Sequence, residues 1–414
     1  EDVGEAARLH DEGRNVIVGA LDDPGTYHNA RVEHAALVVA TQNDQINTNI
    51  AFTVQEIAPD TTILSSANAP ASVDILEIAG ADHVVQLGNI LGYAMATRAL
   101  GLGGKSHQIG NFAGLQIAEA GVVGTALSDR SLQETQLRSM VGVGIIGVWD
   151  RGDFSVATGE TKLCDSSILL LAGTANQLAR FDEEFAVHSP TDSKAIIIGG
   201  GRVGRAAARS FMSEDIDVTI IDRLAERRRS KPSYVIGDAA DRSVLEAAGI
   251  EDAGAILITT HDDNVNVYLT RYCRGLRPDA RIVSRSNLGR NVTTLYRAGA
   301  DAVLSYAGTG SATIWNHFRG DETLLVAQGL NMFRTPIPRE LIGSTLADSH
   351  IYRRTNCNVV AIEHDGTIRG NPDAHEPLPA TGELLLVGTD AAEEKFSQVF
   401  PHARRRPLLT RGRR

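Results

Sequence analysis

The hydrophobic pattern of residues 194–305 alternates short apolar runs with amphipathic stretches of helical length. The apolar runs are "AIIIGG", "DVTIID", "SYVIGD", "GAILITT", "ARIVSRS" and "DAVLSY". Between them, segments such as "VGRAAARSFM" and "NVYLTRYCRGL" place apolar residues at helical spacing. Short strands alternating with helices are typical of an α/β protein with a Rossmann-like, doubly wound parallel sheet.

A similar pattern occurs earlier in the chain, before residue 194, so the chain contains an internal repeat. Three pairs of segments are each separated by 219 residues: "EIAGADHVV" with "YRAGADAVL", "DQIN" with "DNVN", and "GTALSD" (from Gly124) with "GSTLAD" (from Gly343). The spacing predicts two tandem units. On this alignment "NVIVG" (Asn15–Gly19) is the third strand of the first unit. The first strand, glycine loop and second strand of that unit would precede Glu1, so we expect upstream residues or another chain to complete its sheet.

Each Rossmann-like half is followed by a strand-rich segment that predicts a small α+β lobe. The strands of these lobes are "VGIIGVW" and "SILLLAG" in the first unit and "NVVAIEH" and "ELLLVGT" in the second. The polar, proline-containing "HSPTDS" (188–193) predicts a linker. The expected domains are 1–101 (incomplete Rossmann-like), 102–187 (first lobe), 188–320 (complete Rossmann), 321–400 (second lobe) and 401–414 (basic tail).

Composition narrows the functional classes. The 414 residues carry a net charge of −11, which argues against a general nucleic-acid binder because phosphate contacts need a basic surface. Cys164, Cys273 and Cys357 are far apart and predict reduced core thiols rather than a disulfide framework or metal site. No apolar run approaches the ~18 residues of a membrane span.

A glycine loop is the strongest chemical signal in the chain. Gly199, Gly201 and Gly204 form GxGxxG directly after an apolar strand, with Arg202 and Val203 at the start of the next helix. Such glycines allow a tight turn, backbone approach to a pyrophosphate and close helix–strand packing, and the helix N-terminus attracts phosphate. Asp222 closes the next strand at the spacing of a ribose-binding carboxylate.

These residues predict a nucleotide site, with a relic loop that no longer binds as the alternative. Asp222 favours an unphosphorylated ribose, hence NAD(H) or an adenine nucleotide such as ADP or ATP, while Arg223 beside it would accommodate a 2′-phosphate. Further predicted binding residues lie at or near strand ends of the same sheet: Asp238, Thr260 and Arg285. A guanidinium at the carboxyl edge of the sheet suits a phosphate.

The first unit lacks some of these polar groups, and neither unit shows catalytic residues. Ser66 stands where the second unit has Arg285, and Gln42 stands where it has His261. We find no His, Lys or Tyr cluster of the kind a dehydrogenase needs beside its nicotinamide. Asp262, Asp263 and Asn266 are better explained as helix N-caps than as ligands of a divalent cation, for which no motif is present. Binding without turnover is therefore expected.

Taken together, these motifs resemble the RCK/KTN (TrkA-type) regulatory domains of prokaryotic potassium channels and transporters. The resemblance rests on "AIIIGGGRVGRAAA", "VIGDAADRSVLEAAGIEDAGAILITTHDDNVN", "RIVSRS" and "LYRAGADAVLSY", and in the first unit on "HAALVVATQNDQINTNIAF" and "ILEIAGADHVVQLG". It covers nearly the whole chain. It implies a nucleotide site at the second glycine loop and leaves a second site in doubt, because Ser66 replaces the arginine.

The resemblance also implies a function. A protein of this family would form a cytosolic gating ring, a homo-oligomer expected to be a tetramer of tandem units, on the cytoplasmic face of the plasma membrane. Nucleotide binding would control potassium flux through a pore encoded upstream of Glu1. The alternatives are a separate, soluble Trk-type uptake subunit and, from a different class, an NAD-dependent oxidoreductase.

In the family, the helices at Ile90–Leu100 and Gly310–Phe318 would cross to a neighbouring domain, whereas packing within their own unit is the simpler expectation. The basic "ARRRPLLTRGRR" predicts a solvated tail, with anionic lipid as the alternative partner.

Overall fold

The computed structural model describes residues 3–101, 104–112, 114–151, 153–186, 194–319, 323–327, 330–370 and 372–401. The predicted linker at 188–193 and nearly all of the basic tail lie outside these residues. Packing divides the chain into two compact units, residues 1–90 and 91–414. Within the described residues, no helix is both long and apolar enough to span a bilayer.

The first unit holds a small parallel sheet with the strand order β1-β2-β3. Its elements are α1 (Val3–Asp11), α2 (Pro24–Asn29), β1 (Val38–Ala40), α3 (Asp44–Ile57), β2 (Ile63–Ser66), α4 (Val73–Ile78) and β3 (His83–Val85). The helix α5 (Leu87–Gly101) follows and continues beyond the unit. Apolar side chains of α3, such as Ala51 and Val54, pack with Ile63 of β2 and Leu76 of α4.

The strand predicted at Asn15–Gly19 is wrong. These residues form no regular element, and Ile17 and Val18 are 44% and 50% exposed. In the second unit, the corresponding residues pair with a neighbouring strand. Among the described residues Asn15–Gly19 has no such pairing, and apolar sequence alone does not make a strand.

The first rear lobe is a five-stranded antiparallel sheet with the order β4-β5-β8-β6-β7. Its elements are β4 (His107–Phe112), β5 (Leu115–Gly121), α6 (Leu132–Thr135), α7 (Leu137–Met140), β6 (Gly144–Asp150), β7 (Asp153–Val156), β8 (Ser167–Gly173) and α8 (Ala175–Phe185). The predicted strands "VGIIGVW" and "SILLLAG" are β6 and β8, which lie inside the sheet.

The predicted doubly wound sheet is confirmed in residues 194–305. Six parallel strands take the order β11-β10-β9-β12-β13-β14, so the order in which strands are added reverses between β9 and β12 while all strands stay parallel. The elements are β9 (Lys194–Ile198), α9 (Arg202–Ser213), β10 (Asp217–Asp222), β11 (Ser233–Ile236), α10 (Arg242–Ala247), β12 (Ala255–Ile258), α11 (Asp263–Leu276), β13 (Arg281–Ser286), α12 (Val292–Ala298), β14 (Ala302–Ser305) and α13 (Tyr306–Arg319). Ligands bind at such a reversal, outside the carboxyl ends of the strands.

The second rear lobe repeats the first, with the order β15-β16-β19-β17-β18. Its elements are β15 (Thr323–Ala327), β16 (Leu330–Pro336), α14 (Leu346–Ser349), α15 (Ile351–Thr355), β17 (Asn358–His364), β18 (Thr367–Gly370), β19 (Glu383–Thr389) and α16 (Asp390–Val399). The two lobes share a core, in which Ile117 and Leu170 of the first lobe pack with Met332 and Leu385 of the second.

One of the three repeat matches is wrong in the structure. Gly343 corresponds to Asp129 rather than to Gly124: both have positive φ (78° and 61°), and each donates its N–H to a leucine carbonyl, that of Leu378 or Leu163. The rear lobes are therefore related by an offset of 214 or 215 residues, because the segment between β3 and β4 is longer than the segment between β14 and β15. The tandem architecture itself is confirmed by the matching strand orders.

Helix α5 packs against the second Rossmann sheet. Leu91, Met95 and Ala99 are fully buried in one cluster with Val203, Ala207 and Phe211 of α9. The prediction that this helix reaches beyond its own half is therefore confirmed for α5. For Gly310–Phe318, within α13, the choice between the two packings stays open.

The three cysteines are free, and burial raises the pKa of Cys273 to about 12 and that of Cys357 to about 11.

Candidate nucleotide site

The glycine loop joins β9 to α9 at the reversal point of the sheet. Gly199 has φ +109°, which favours glycine, and a side chain there would meet the hydroxyl of Thr259 on the adjacent strand at 2.8 Å. A side chain on Gly204 would overlap the carbonyl of Gly199, so this glycine lets α9 pack on the loop. Gly201 caps α9 and has open space around it, as a position approached by a ligand must have.

Asp222 lies at the carboxyl end of β10 and is only 6% exposed. Its Oδ2 accepts the N–H of Gly200 (2.6 Å) and an N–H of Arg227 (3.1 Å), and its Oδ1 accepts the N–H of Leu224 (2.8 Å). An ionised carboxylate has about four acceptor positions, so capacity for a ribose hydroxyl remains. The structure thus brings the predicted carboxylate onto the glycine loop.

Arg285 is buried at the end of β13 with 3% of its surface exposed. Its Nη2 donates to Asn287 Oδ1 (2.6 Å), and its guanidinium lies 4.6 Å from the ring centroid of Tyr306. Its buried Nε has no hydrogen-bond partner among the residues that the structure describes. Burial lowers its pKa, as does the charge of Arg202, while Tyr306 and Asp263 oppose that change. A buried guanidinium with an unused donor is suited to an anion.

Two arginines of the site were not predicted from the sequence. Arg227, in the turn after β10, pairs with Asp222, and Arg205 on α9 donates to the carbonyl of Gly200 (2.6 Å). Neither residue belongs to the glycine motif. Arg205 lies one turn inside a helix whose apolar spacing gives no sign of ligand contact. A loop arginine such as Arg227 is ordinarily solvated.

His261 follows β12 on the same edge of the sheet. Partial burial lowers its pKa, and the charges of Arg285, Arg202 and Arg227 lower it further. The charges of arginines on three separate segments therefore act on this imidazole. Positive charge at this edge of the sheet favours the approach of an anion.

The remaining predicted residues have more peripheral places. Arg223 and Asp238 are well exposed and form a loose ion pair of 3.8 Å. The hydroxyl of Thr260 donates to Asn266 Oδ1 (2.5 Å), so it makes a hydrogen bond within the protein at the edge of the sheet. Val203 is buried in the core, so only its backbone N–H, in the first turn of α9, could face a ligand.

The three polar residues assigned as helix caps behave differently. Asp262 is the N-cap of α11, as predicted, because its Oδ1 accepts from Asn264 and Val265. Asp263 instead accepts the backbone N–H groups of Asn287 (2.7 Å) and Leu288 (3.0 Å), and Asn266 donates to the carbonyl of Arg285 (2.9 Å). The capping interpretation is wrong for these two residues, which hold the end of β13 in place.

The first unit has the same arrangement without the arginine. We call this arrangement the bracket: an aspartate and an asparagine near the start of a helix, Asp263 with Asn266 or Asp44 with Asn47, that bind the backbone at the end of the next strand. Asp44 accepts the backbone N–H groups of Asn68 (2.7 Å) and Ala69 (3.0 Å), and Asn47 donates to the carbonyl of Ser66 (2.8 Å). Among the described residues, no group of His, Cys, Asp or Glu side chains has the arrangement of a metal site.

Comparison with known proteins agrees with this fold. A sequence model of the TrkA-N domain matches residues 1–87 and 195–306. The crystal structure of the GsuK RCK domain is 35% identical, with a TM-score of 0.69, over 97% of this chain and 88% of that one. The GsuK channel bound to NAD is also 35% identical, with a TM-score of 0.69, over 97% of this chain and 73% of that one. The Trk system potassium uptake protein TrkA of Mycobacterium tuberculosis is 27% identical over 222 residues, which are 50% of this chain and 98% of that protein.

Proposed function

Because this chain belongs to the RCK family of potassium-transport regulators, we propose that it is the ligand-sensing gating-ring portion of a potassium channel. In this proposal, NAD(H) or an adenine nucleotide binds the second Rossmann unit and controls potassium flux through a pore. The observation that carries the proposal is the convergence of the glycine loop, Asp222 and the buried Arg285 at one edge of the sheet.

Each part of the nucleotide has a matching group. The diphosphate would lie at the N-terminus of α9, where first-turn N–H groups and the helix dipole favour negative charge. Arg202 and Arg285 would add charge-assisted hydrogen bonds to it. The adenine ribose would donate to Asp222, which favours an unphosphorylated 2′-hydroxyl and hence NAD(H), ADP or ATP over NADP(H).

The proposed regulation requires two states of the ring with different nucleotide affinity. A ligand shifts a conformational equilibrium only by the difference between its affinities for the two states. The GsuK structures favour a channel because they match nearly the whole tandem. On that basis the chain would act as a homo-oligomeric ring on the cytoplasmic face of the plasma membrane, without catalysis.

A separate Trk-type uptake subunit is the second candidate, because one half of this chain matches almost the full length of TrkA. Potassium flux separates the two candidates. A channel-fused ring alters conductance when the complete gene is expressed alone in cells deficient in potassium uptake. A Trk-type subunit restores uptake only when a Trk membrane protein is co-expressed.

Calorimetry on the chain tests nucleotide binding directly. We expect NAD⁺, NADH, ADP or ATP to bind with one site per chain, and Gly201→Val to abolish binding because the added side chain would occupy the diphosphate position. The variant should fold normally, since Gly201 has open space around it. Gly275→Val, on α11 and equally open, is the matched control and should bind as the native chain does.

Two results would reject the proposal. Unchanged nucleotide binding by Gly201→Val would show that the site is misplaced. Turnover of NAD(H) with a small substrate would favour the oxidoreductase alternative instead.

A further inference from the structure

Helix α5 lies directly on α9, the helix whose N-terminus forms the phosphate end of the candidate site. Leu91, Met95 and Ala99 are spaced four residues apart, so they form one stripe, and all three are fully buried. The buried partners on α9 are Val203, Ala207 and Phe211.

Gly92 is the point of closest approach between the two helices. A Cβ atom added to Gly92 would lie 2.6 Å from Ala206 Cβ and 2.9 Å from Ala207 N, and it would overlap the carbonyl oxygen of Val203. Two of these three atoms belong to the backbone of α9 and cannot move without moving the helix. Only glycine permits this contact, and the reason is space, because the φ of Gly92 is not in the left-handed region.

The contact falls on the first two turns of α9. This helix begins at Arg202, with Gly201 as its N-cap, so Val203 lies within the turn whose free N–H groups face the diphosphate. A displacement of α9 at Val203 therefore displaces the phosphate-binding N–H groups. Phosphate binding depends on their direction and distance.

The far end of α5 is fastened to the first rear lobe. Arg98 donates to Glu119 of β5 across 2.7 Å, and both side chains are largely buried. Because a helix transmits displacement along its axis, a displacement of α9 would be passed along α5 to the β4-β5 hairpin. The segment thus has a close contact at each end, with the nucleotide helix at one and a rear lobe at the other.

We propose that Gly92 is a positioning residue for the nucleotide site and that α5 is coupled to nucleotide binding through it. This inference rests on the proposed function, since it concerns the same phosphate site. Coupling is reciprocal: if the position of α5 alters nucleotide affinity, then nucleotide binding shifts the equilibrium between positions of α5 by the same free energy.

The test uses Gly92→Ala with Gly275→Ala as the matched control. Both changes place alanine in a helix, where it is intrinsically favoured over glycine, but only Gly92→Ala meets backbone atoms. We expect NAD⁺ or ADP affinity, measured by calorimetry, to fall roughly tenfold in Gly92→Ala and to be unchanged in Gly275→Ala. The double variant Gly92→Ala/Ala206→Gly should recover part of the loss, because it removes one of the clashing atoms.

A second measurement does not depend on how well the variant folds. Hydrogen exchange of the α5 amides from Leu91 to Ala99 should slow when NAD⁺ or ADP binds the native chain, and it should not respond in Gly201→Val. Native affinity in a folded Gly92→Ala, or no change in α5 exchange on binding, overturns this inference while the site itself stands. Failure of every nucleotide to bind the native chain overturns the proposed function instead.

Discussion

The two Rossmann-like halves share one scaffold and differ in what it presents. In each, an aspartate and an asparagine at the start of a helix hold the end of the next strand: Asp44 with Asn47, and Asp263 with Asn266. At equivalent positions near its end, the strand so held carries Ser66 in one half and Arg285 in the other. The bracket is thus a property of the fold, and the ligand chemistry is added by a few substitutable positions on it.

The largest effect is expected from converting one edge into the other. Arg285→Ser places the residue of the first half in the second, and removes a charge-assisted hydrogen bond worth about 1.5–3 kcal/mol. Nucleotide affinity should therefore fall by roughly 10- to 100-fold in calorimetry.

Arg285→Lys is the conservative comparison, since it keeps the charge but not the planar fork of donors. Its nucleotide affinity should lie between that of the native chain and that of Arg285→Ser. If Arg285→Ser binds as tightly as the native chain, the difference between the halves lies elsewhere.

The shared bracket predicts matched losses of stability. Asp44→Asn and Asp263→Asn each replace a carboxylate oxygen that accepts a backbone N–H with an amide group that cannot accept it. Each should lower the free energy of unfolding by about 1–3 kcal/mol in denaturant titrations without ligand. A large loss in only one of the two variants would show that the halves do not use the bracket alike.

Acid titration examines the same bracket. Burial opposes the lowering, but hydrogen bonds from Asn291, Asn287 and the Leu288 backbone hold the pKa of Asp263 below its usual value. The pKa of Asp44 is lowered likewise by Ser72, Asn68 and Ala69. A lowered folded-state pKa stabilises the fold above the unfolded value of about 3.9, and the stabilisation is lost as pH falls through the folded value. The decline below about pH 4 should be reduced in both asparagine variants.

The smallest effect concerns His261, which corresponds to Gln42 in the first half. Partial burial and three arginines lower the pKa of His261, and a bound phosphate would raise it again. Nucleotide binding should therefore take up protons, and affinity should rise a few-fold between pH 8 and pH 6. In His261→Gln this pH dependence should be weaker, and an identical slope in both proteins would exclude the histidine as its source.

The sequence predicts the second sheet well because each of its strands pairs with neighbours in the described part of the chain. "NVIVG" has the composition of a strand but pairs with none among the described residues, so its local pattern predicted the wrong element. "GTALSD" and "GSTLAD" share letters at the right offset, yet Gly343 occupies the turn of Asp129, because the segment between β3 and β4 is longer than the segment between β14 and β15.

The residues of the site likewise fall into two groups, those that a local pattern predicts and those that depend on contacts distant in sequence. Gly199, Gly204 and Asp222 follow from spacing, since their roles are fixed by the chain's own backbone. Arg227 and the bracketing role of Asp263 depend on contacts with residues distant in sequence, which no local pattern records. The partner of α5 likewise could not be read from periodicity, because an apolar stripe does not specify what covers it.

The core shared by the rear lobes has a consequence for the origin of the tandem. Its members come in equivalent pairs, such as Ile117 with Met332, Ile146 with Val360, and Leu170 with Leu385. A face that packs against a copy of itself is isologous, the arrangement of a twofold homodimer. Fusion of two genes converts that symmetric dimer into a single chain and releases each half from the requirement to be identical. One half could then keep an arginine at its edge and the other a serine, which no symmetric ancestor could do.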